Sequence, residues 1–185
     1  MKYRLLNMAD ISACPDALTP LASVADVVSA PADPRRLLEM IPEFDAYYSS
    51  LQVQVTAQVL ERARRLRVIA TPSTGTDHLD VAGARQRNIT ILSLKDERAF
   101  LDQVTATAEM AWALLLAVER RLPWSFAAAQ RGEWARDRFR GHQLAGKTLG
   151  VLGYGRLGTM VADYGLAFRM RVLACDVRPL TPRAG

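Results

Sequence analysis

The chain has 185 residues, of which 50% are apolar and 23% charged, and its net charge at pH 7 is +5. This composition is typical of a soluble globular protein with one or two packed domains. The N-terminus has no sustained apolar segment of the secretory type. The most apolar run, Met110–Val118, is far shorter than the roughly 20 residues that span a bilayer. We therefore expect no membrane partner.

Cysteine and arginine usage narrows the choice further. Cys14 and Cys175 lie far apart with no CxxC pattern or histidine nearby, so neither a disulfide framework nor a metal site is predicted. Cys175 falls in a predicted strand, where we expect a small buried thiol. Arginines cluster within 62–67 and 131–140, but acidic residues are interspersed and no nucleic-acid motif accompanies them. Solvated helix faces explain these clusters better than nucleic-acid binding, which stays a minor alternative. The cysteine pattern favours a protein of the reducing cytoplasm.

Up to about Leu94, short apolar strands alternate with amphipathic helices, which predicts a parallel sheet with helices on its faces. The predicted strands are Tyr3–Asn7, Ala25–Val28, Ala46–Ser49, Arg67–Ala70 and Thr90–Leu92. The predicted helices are Pro34–Met40, Ala57–Arg65 and Leu79–Arg87, the last with Asp77 or His78 near its cap.

The next segment, Ala99–Arg121, predicts one long helix that is apolar on nearly every face and ends at Pro123. Such a helix is usually buried between layers or at a subunit interface. An arginine-rich connector, Arg131–Lys147, follows and includes a short helical segment.

The most informative motif is Gly153-Tyr154-Gly155-Arg156-Leu157-Gly158, which follows an apolar strand and opens a helical pattern. Gly153 permits the tight turn, Gly155 lets the backbone approach a pyrophosphate, and Gly158 lets the helix pack closely on the sheet. The free N–H groups at the helix start would then face the phosphates. In this context the motif predicts a dinucleotide site rather than a mere turn.

A second strand closes on Asp176, 18 residues after Gly158. That is near the spacing of about 20 for the carboxylate that binds the ribose hydroxyls of NAD. A 2′-phosphate would be repelled there, so the residues favour NAD over NADP, although the nearby Arg178 could soften that preference. The chain ends nine residues later, with two of the about six strands of a complete nucleotide domain.

Four motifs in order resemble the D-isomer-specific 2-hydroxyacid dehydrogenases, and among them the phosphoglycerate-dehydrogenase-like members. They are IATPSTGTDHLD (Ile69–Asp80), TATAEMAWALLLAVERR (Thr105–Arg121), GEWARDRFRGHQLAGKTLGVLGYGRLG (Gly132–Gly158) and ACD (Ala174–Asp176). The first 40 residues match only by pattern.

The resemblance implies roles for particular residues. The loop Ser73, Thr74, Gly75 and Thr76 would present N–H groups to the substrate carboxylate, consistent with an anion-binding glycine turn. The residue Thr74 would also touch the cofactor. The cofactor residues implied are Thr74, Thr107, Gly153, Gly155, Arg156, Leu157, Gly158 and Asp176. The long helix would connect the two lobes and support a homodimer.

Two departures from the family pattern stand out. Its catalytic arginine, glutamate and histidine have no counterparts here, so we assign no catalytic residue. Both histidines, His78 at a helix cap and His142 in the connector, are expected to be exposed and structural. In addition, Ser50 replaces an arginine of the phosphoglycerate-specific members, which removes a charge-assisted partner of a phosphate. This change disfavours phosphoglycerate itself as the substrate, and a polysaccharide- or sugar-acid-related 2-hydroxy acid is equally open.

Together these inferences predict an α/β protein. A flavodoxin-like substrate lobe (residues 1–98) precedes a connector helix and the first βαβ unit of an incomplete Rossmann domain (residues 99–185). The expected function is the N-terminal part of an NAD-dependent oxidoreductase acting on a small D-2-hydroxy or 2-oxo acid, with the chain alone inactive. The alternatives are a non-catalytic NAD- or partner-binding module and a truncated product without function.

Overall fold

The computed structural model describes residues 2–181, apart from the side chain of Pro15, and forms two compact units, Met1–Arg98 and Ala99–Gly185. Residues 1 and 182–185 of the two predicted domains lie outside the described part.

The first unit is built on a parallel sheet with the strand order β2-β1-β3-β4-β5. Its strands are β1 (Tyr3–Asn7), β2 (Ala25–Ser29), β3 (Ala46–Tyr48), β4 (Val68–Ala70) and β5 (Thr90–Leu92). Its helices are α1 (Thr19–Ala22), α2 (Pro34–Met40), α3 (Ala57–Arg62) and α4 (Val81–Gln86), with 3-10 turns at Pro15–Leu18, Ile41–Glu43 and Leu94–Asp96. This is the doubly wound flavodoxin-like order, as predicted.

The core of this unit lies between the sheet and the helices α2, α3 and α4. Strand residues Leu6, Tyr47 and Ile69 are almost completely buried there, together with Leu37 of α2 and Leu60 of α3. This burial follows from the period of two in a strand, which points alternate side chains into the same layer.

The predicted cap of α4 was wrong. Asp80 caps this helix, since its side chain accepts a hydrogen bond from the Gly83 N–H at 2.8 Å. Asp33 caps α2 in the same way, accepting from the Arg36 N–H at 2.8 Å. Short carboxylates are preferred at this position because they satisfy N–H groups that have no partner within the helix.

The second unit contains α6 (Ala106–Glu119), α7 (Leu122–Gln130), a 3-10 turn at Arg136–Phe139, β6 (Thr148–Leu152), α8 (Arg156–Ala167) and β7 (Arg171–Cys175). Strands β6 and β7 pair in parallel. Trp112, Leu144 and Met170 form its buried cluster. The Trp112 ring also packs on Phe168, with ring centroids 5.0 Å apart, and so ties α6 to the end of α8.

The prediction of one continuous helix over Ala99–Arg121 was wrong. A short helix α5 (Arg98–Leu101) ends before α6 begins at Ala106. The Arg156 guanidinium donates hydrogen bonds to the carbonyls of Leu101 and Val104, both at 2.7 Å. In a continuous helix those carbonyls would accept hydrogen bonds from the N–H groups four residues later. A side chain that is distant in sequence therefore interrupts the helix.

Two smaller expectations also failed. The long helix ends at Glu119 rather than at Pro123, which instead lies in the first turn of α7, where a proline is tolerated. Cys175 is exposed, because among the described residues β7 pairs only with β6.

By length and composition alone, Arg98–Glu119 is the one candidate for a membrane span in the described part of the chain. The uninterrupted helix α6 has 14 residues, fewer than the roughly 20 that a bilayer requires. Core helices of soluble proteins give the same signal.

Candidate dinucleotide turn and carboxylate loop

The glycine turn between β6 and α8 has the geometry that its sequence predicts. Gly153 has a φ of +90°, in the left-handed region that favours glycine. A Cβ on Gly158 would collide with the carbonyl oxygen of Gly153 and would lie 3.2 Å from Cγ1 of Val151. The absence of a side chain at Gly158 is therefore what lets the first turn of α8 rest on the end of β6.

This turn suits a pyrophosphate. The helix α8 has 12 residues, and no side chain caps its N-terminus at Gly155. A Cβ on Gly155 would meet no atom within 4 Å, so the backbone there is open to close approach. Uncapped N–H groups and the positive end of the helix dipole together favour a bound anion. The residues present thus fit the diphosphate of a dinucleotide.

Asp176 lies beside the same turn, directly after β7. Its Oδ2 accepts a hydrogen bond from the Tyr154 N–H at 2.7 Å, and its Oδ1 accepts from the Arg178 N–H at 3.0 Å and from the Arg178 Nε at 3.2 Å. The hydrogen bonds from Arg178 hold the pKa of Asp176 below its ordinary value, and the hydrogen bond from Tyr154 makes a smaller contribution in the same direction. The side chain is therefore a fixed carboxylate that can accept hydrogen bonds from ribose hydroxyls.

The guanidinium of Arg156 does not lie free beside the turn. It is half-buried and bonded to the Leu101 and Val104 carbonyls, so only its backbone N–H belongs to the first turn of α8. Thr107, which is also a predicted cofactor residue, is exposed and is the second residue of α6.

In the first unit, the sheet register aligns the ends of four strands at one edge. The last residues of four strands, Asn7, Tyr48, Ala70 and Leu92, are aligned across the sheet. The chain therefore leaves the sheet at the same edge after each of these strands. Open α/β sheets bind ligands beyond this carboxyl edge.

The predicted carboxylate loop, Ser73–Thr76, follows β4 at this edge. The Ser73 hydroxyl accepts from the Gly75 N–H at 3.0 Å and donates to the Gly75 carbonyl at 2.9 Å. The N–H of Gly75 is thus already used within the loop. Thr74 is exposed, and among the described residues no acceptor lies opposite its N–H or that of Thr76. These two N–H groups are the ones that the loop offers to an anion.

A buried polar network supports this loop, and sequence reasoning missed it. Nε2 of His78 lies 3.2 Å from Oγ of Ser49 and 3.2 Å from Oγ1 of Thr71. All three residues are buried, so the expectation of an exposed His78 was wrong. Ser49 and Thr71 follow neighbouring parallel strands directly, and that position was the signal that could have found them.

The charge of His78 follows from its surroundings. Burial lowers the pKa of His78 below its ordinary value, against a smaller opposing effect of Asp77. The imidazole is thus neutral near pH 7. Its Nε2 accepts a hydrogen bond from one of the two hydroxyls when it carries no proton, and donates to one of them in the other tautomer.

Ser50 occupies the position where the family resemblance places an arginine in phosphoglycerate-specific members. The residue is buried, and its Oγ accepts a hydrogen bond from the Gln52 N–H at 3.1 Å. A neutral hydroxyl turned to its own loop supplies no cation for a phosphate.

Comparison with known proteins agrees with this geometry. Residues 7–130 match the catalytic domain of the D-isomer specific 2-hydroxyacid dehydrogenases, and residues 112–184 match the NAD binding domain of the same family. The chain belongs to the D-isomer-specific 2-hydroxyacid dehydrogenase family. NAD is the cofactor of the family domain that the second unit matches.

Individual relatives of this dehydrogenase family are longer than the chain. D-3-phosphoglycerate dehydrogenase of Methanocaldococcus jannaschii is 36% identical over 91% of this chain and 31% of its own length. Hydroxypyruvate reductase of Thermotoga maritima is 32% identical over 82% of this chain and 48% of its own length. The TT0316 protein of Thermus thermophilus superposes with a TM-score of 0.83 at 33% identity, covering 96% of this chain and 57% of that one. The chain thus spans half or less of these two curated relatives.

Replacing Gly158 by Ala should destabilise the second unit by about 1–3 kcal/mol, because the new methyl group overlaps the Gly153 carbonyl. Urea unfolding followed by tryptophan fluorescence reports this unit, since Trp112 packs against Phe168 just beyond the end of α8. Gly150→Ala is the matched control, because a Cβ at Gly150 meets nothing within 4 Å. Equal stability of the two variants would contradict the close packing of α8 on β6.

Replacing His78 by Asn should flatten the dependence of stability on pH. Below the ordinary histidine pKa of 6.5 the unfolded chain gains a proton that buried His78 resists. Native stability is therefore complete above about pH 6.5 and falls as the pH drops through the lowered folded-state pKa. Free energies of unfolding between about pH 7.5 and 5, from urea titrations followed by far-UV circular dichroism, should show this loss in the wild type and not in His78→Asn. His142→Asn, at an exposed site, should retain the wild-type slope, and a slope retained by His78→Asn would contradict the buried neutral imidazole.

Proposed function

We propose that the chain provides the first part of an NAD-dependent oxidoreductase that transfers a hydride between the nicotinamide and a small D-2-hydroxy or 2-oxo acid. The observation that supports it most is the glycine turn, where Gly158 packs against the Gly153 carbonyl and Asp176 is bonded to the Tyr154 N–H. A pyrophosphate could bind the N–H groups at the start of α8, and a ribose could bind the adjacent carboxylate of Asp176. When bound, NAD would supply the hydride acceptor or donor.

The proposed roles combine what the family resemblance implies with the geometry of the glycine turn and the carboxylate loop. Gly153, Gly155 and Gly158 shape the turn, and the N–H groups of Arg156 and Leu157 bind the diphosphate. The carboxylate of Asp176 accepts from the adenosine ribose, and Thr107 lies on the nicotinamide side. The substrate carboxylate is held by Ser73–Thr76, and Thr74 contacts both ligands.

The proposed substrate class is an unphosphorylated 2-oxo or 2-hydroxy acid. Ser50 and its neighbour Ser49 are buried hydroxyls, so the end of β3 supplies no positive charge for a 3-phosphate. The two curated relatives differ in the same respect, one being named for phosphoglycerate and the other for hydroxypyruvate. The neutral environment favours the second kind of substrate.

A second copy of the chain is the proposed protein partner. Met110, Leu114 and Val118 follow each other at four-residue spacing on α6, and each side chain is more than half exposed. This spacing places them on one face of the helix, as an apolar stripe. A dimer through α6 would bury it.

We expect the 185-residue chain to show no turnover. In the described part of the chain, His78 is committed to Ser49 and Thr71, and His142 is an exposed partner of Glu119. The His78 imidazole, already bonded through Nε2, is therefore not free to pass a proton to a substrate held at Ser73–Thr76. The loss of NADH absorbance on adding hydroxypyruvate or glyoxylate to the purified chain checks this. Substrate-dependent oxidation in a homogeneous preparation would contradict it, and would also exclude the alternative of a non-catalytic binding module.

Replacing Asp176 by Ala should weaken the binding of NADH by about tenfold, since charged hydrogen bonds to two ribose hydroxyls are lost. NMR titration suits this measurement, because half a nucleotide pocket is expected to bind only at about millimolar concentrations. Asp26→Ala, an exposed carboxylate of the first unit, is the control and should bind as the wild type does. Binding of NADH that is indifferent to Asp176 would contradict the proposed ribose contact, and no binding by any variant would favour a truncated product without function.

A further inference from the structure

The Arg156 guanidinium joins two segments that are far apart in sequence. Its Nη1 donates to the Leu101 carbonyl and to the Val104 carbonyl, both at 2.7 Å, across more than 50 residues of sequence. One nitrogen with two hydrogens thus bridges two acceptors at the junction of α5 and α6. Hydrogen bonds from a charged donor are short and strong compared with neutral ones.

Local hydrogen bonds also hold the bridged junction, among them one from the Gln103 N–H to the Phe100 carbonyl at 3.0 Å. Residues 102–105 belong to no helix, and the Val104 N–H bonds back to the Leu101 carbonyl at 3.0 Å. Asp102 and Gln103 are exposed, whereas Leu101 is buried. Three residues after Val104 comes Thr107, in the first turn of α6. Arg156 therefore links the start of α6 directly to the glycine turn, whereas the Trp112 contact holds α6 at the other end of α8.

We propose that Arg156 is a positioning residue for the dinucleotide: its backbone N–H serves the diphosphate, while its side chain sets the start of α6, with Thr107, against the glycine turn. The inference rests on the proposed function, because it assigns Thr107 to the nicotinamide side. It deepens that function by separating two roles of one residue. The guanidinium holds protein rather than phosphate.

Two other roles of Arg156 make different predictions. A guanidinium that binds the diphosphate directly would matter equally for every ligand that carries a diphosphate. If the guanidinium only stabilises the junction, its removal would change amide hydrogen exchange there and would leave the ligand affinities unchanged. A positioning residue matters for the ligand that reaches α6 and not for one that ends at the diphosphate.

The test compares ADP, which has adenosine and diphosphate only, with NADH, which also has the nicotinamide half. In Arg156→Met, affinity for NADH should fall about tenfold, whereas affinity for ADP should stay within about twofold of the wild type. Amide hydrogen exchange of residues 102–107 without ligand should become about tenfold faster. NMR titrations and exchange measurements on the full 185-residue chain give both quantities from one labelled sample.

The controls separate the possible outcomes. Arg171→Met removes an exposed arginine of β7 in the same unit and should alter neither exchange nor affinity. Arg156→Lys keeps a positive charge, but the lysine Nζ ends one bond short of the position of Nη1 that bridges the two carbonyls, so it should resemble Arg156→Met. Equal losses for ADP and NADH in Arg156→Met, with rescue by Lys, would overturn the inference in favour of direct diphosphate binding.

The remaining results also decide the question. Faster exchange with unchanged NADH affinity would overturn the positioning role and leave a purely structural one. Unchanged exchange would overturn the bridge itself. If the wild type binds ADP but shows no added affinity for NADH, the inference fails while the diphosphate site stands. If it binds neither ligand, the proposed function fails and the positioning role with it.

Discussion

The contact between Gly158 and the carbonyl of Gly153 decides how the second unit is built, because no side chain, not even a methyl group, fits between the helix and the strand there. The first turn of α8 consequently starts at the very end of β6, and its uncapped N–H groups open to the side where β7 delivers Asp176. Asp176 in turn holds the Tyr154 N–H within the turn. One close approach thus fixes the groups for a diphosphate and for a ribose in a single small site.

Arg156 shows how a residue of a binding motif can also shape distant structure. Its guanidinium occupies two carbonyls that a continuous helix would need, and the apolar segment after Arg98 therefore forms two helices instead of one. The same bonds connect the glycine turn to the beginning of α6. The glycine turn and the start of α6 are therefore directly hydrogen-bonded, although 52 residues separate Arg156 from Val104.

In the first unit, the chemistry is set by neutral groups at the carboxyl edge of a parallel sheet. His78 is buried with Ser49 and Thr71, and these three residues connect the ends of β3 and β4 to the loop Ser73–Thr76. The loop offers N–H groups of the backbone rather than cationic side chains, which suits a small carboxylate. The hydroxyl of Ser50, where an arginine would favour a phosphate, extends this neutral character.

The sequence by itself determined the elements that rest on local patterns. The five strands of the first unit and the glycine turn with Asp176 were predictable, because alternation, glycine geometry and spacing are encoded within a few residues. Only the tertiary structure decided the break at 102–105, the burial of His78 and the exposure of Cys175. Each of these depends on a partner, or on the absence of a neighbouring strand, that lies outside the local sequence window. The hydrogen bonds of Arg156 and His78 form only once the chain has brought distant residues together, so no periodicity along the sequence can reveal them.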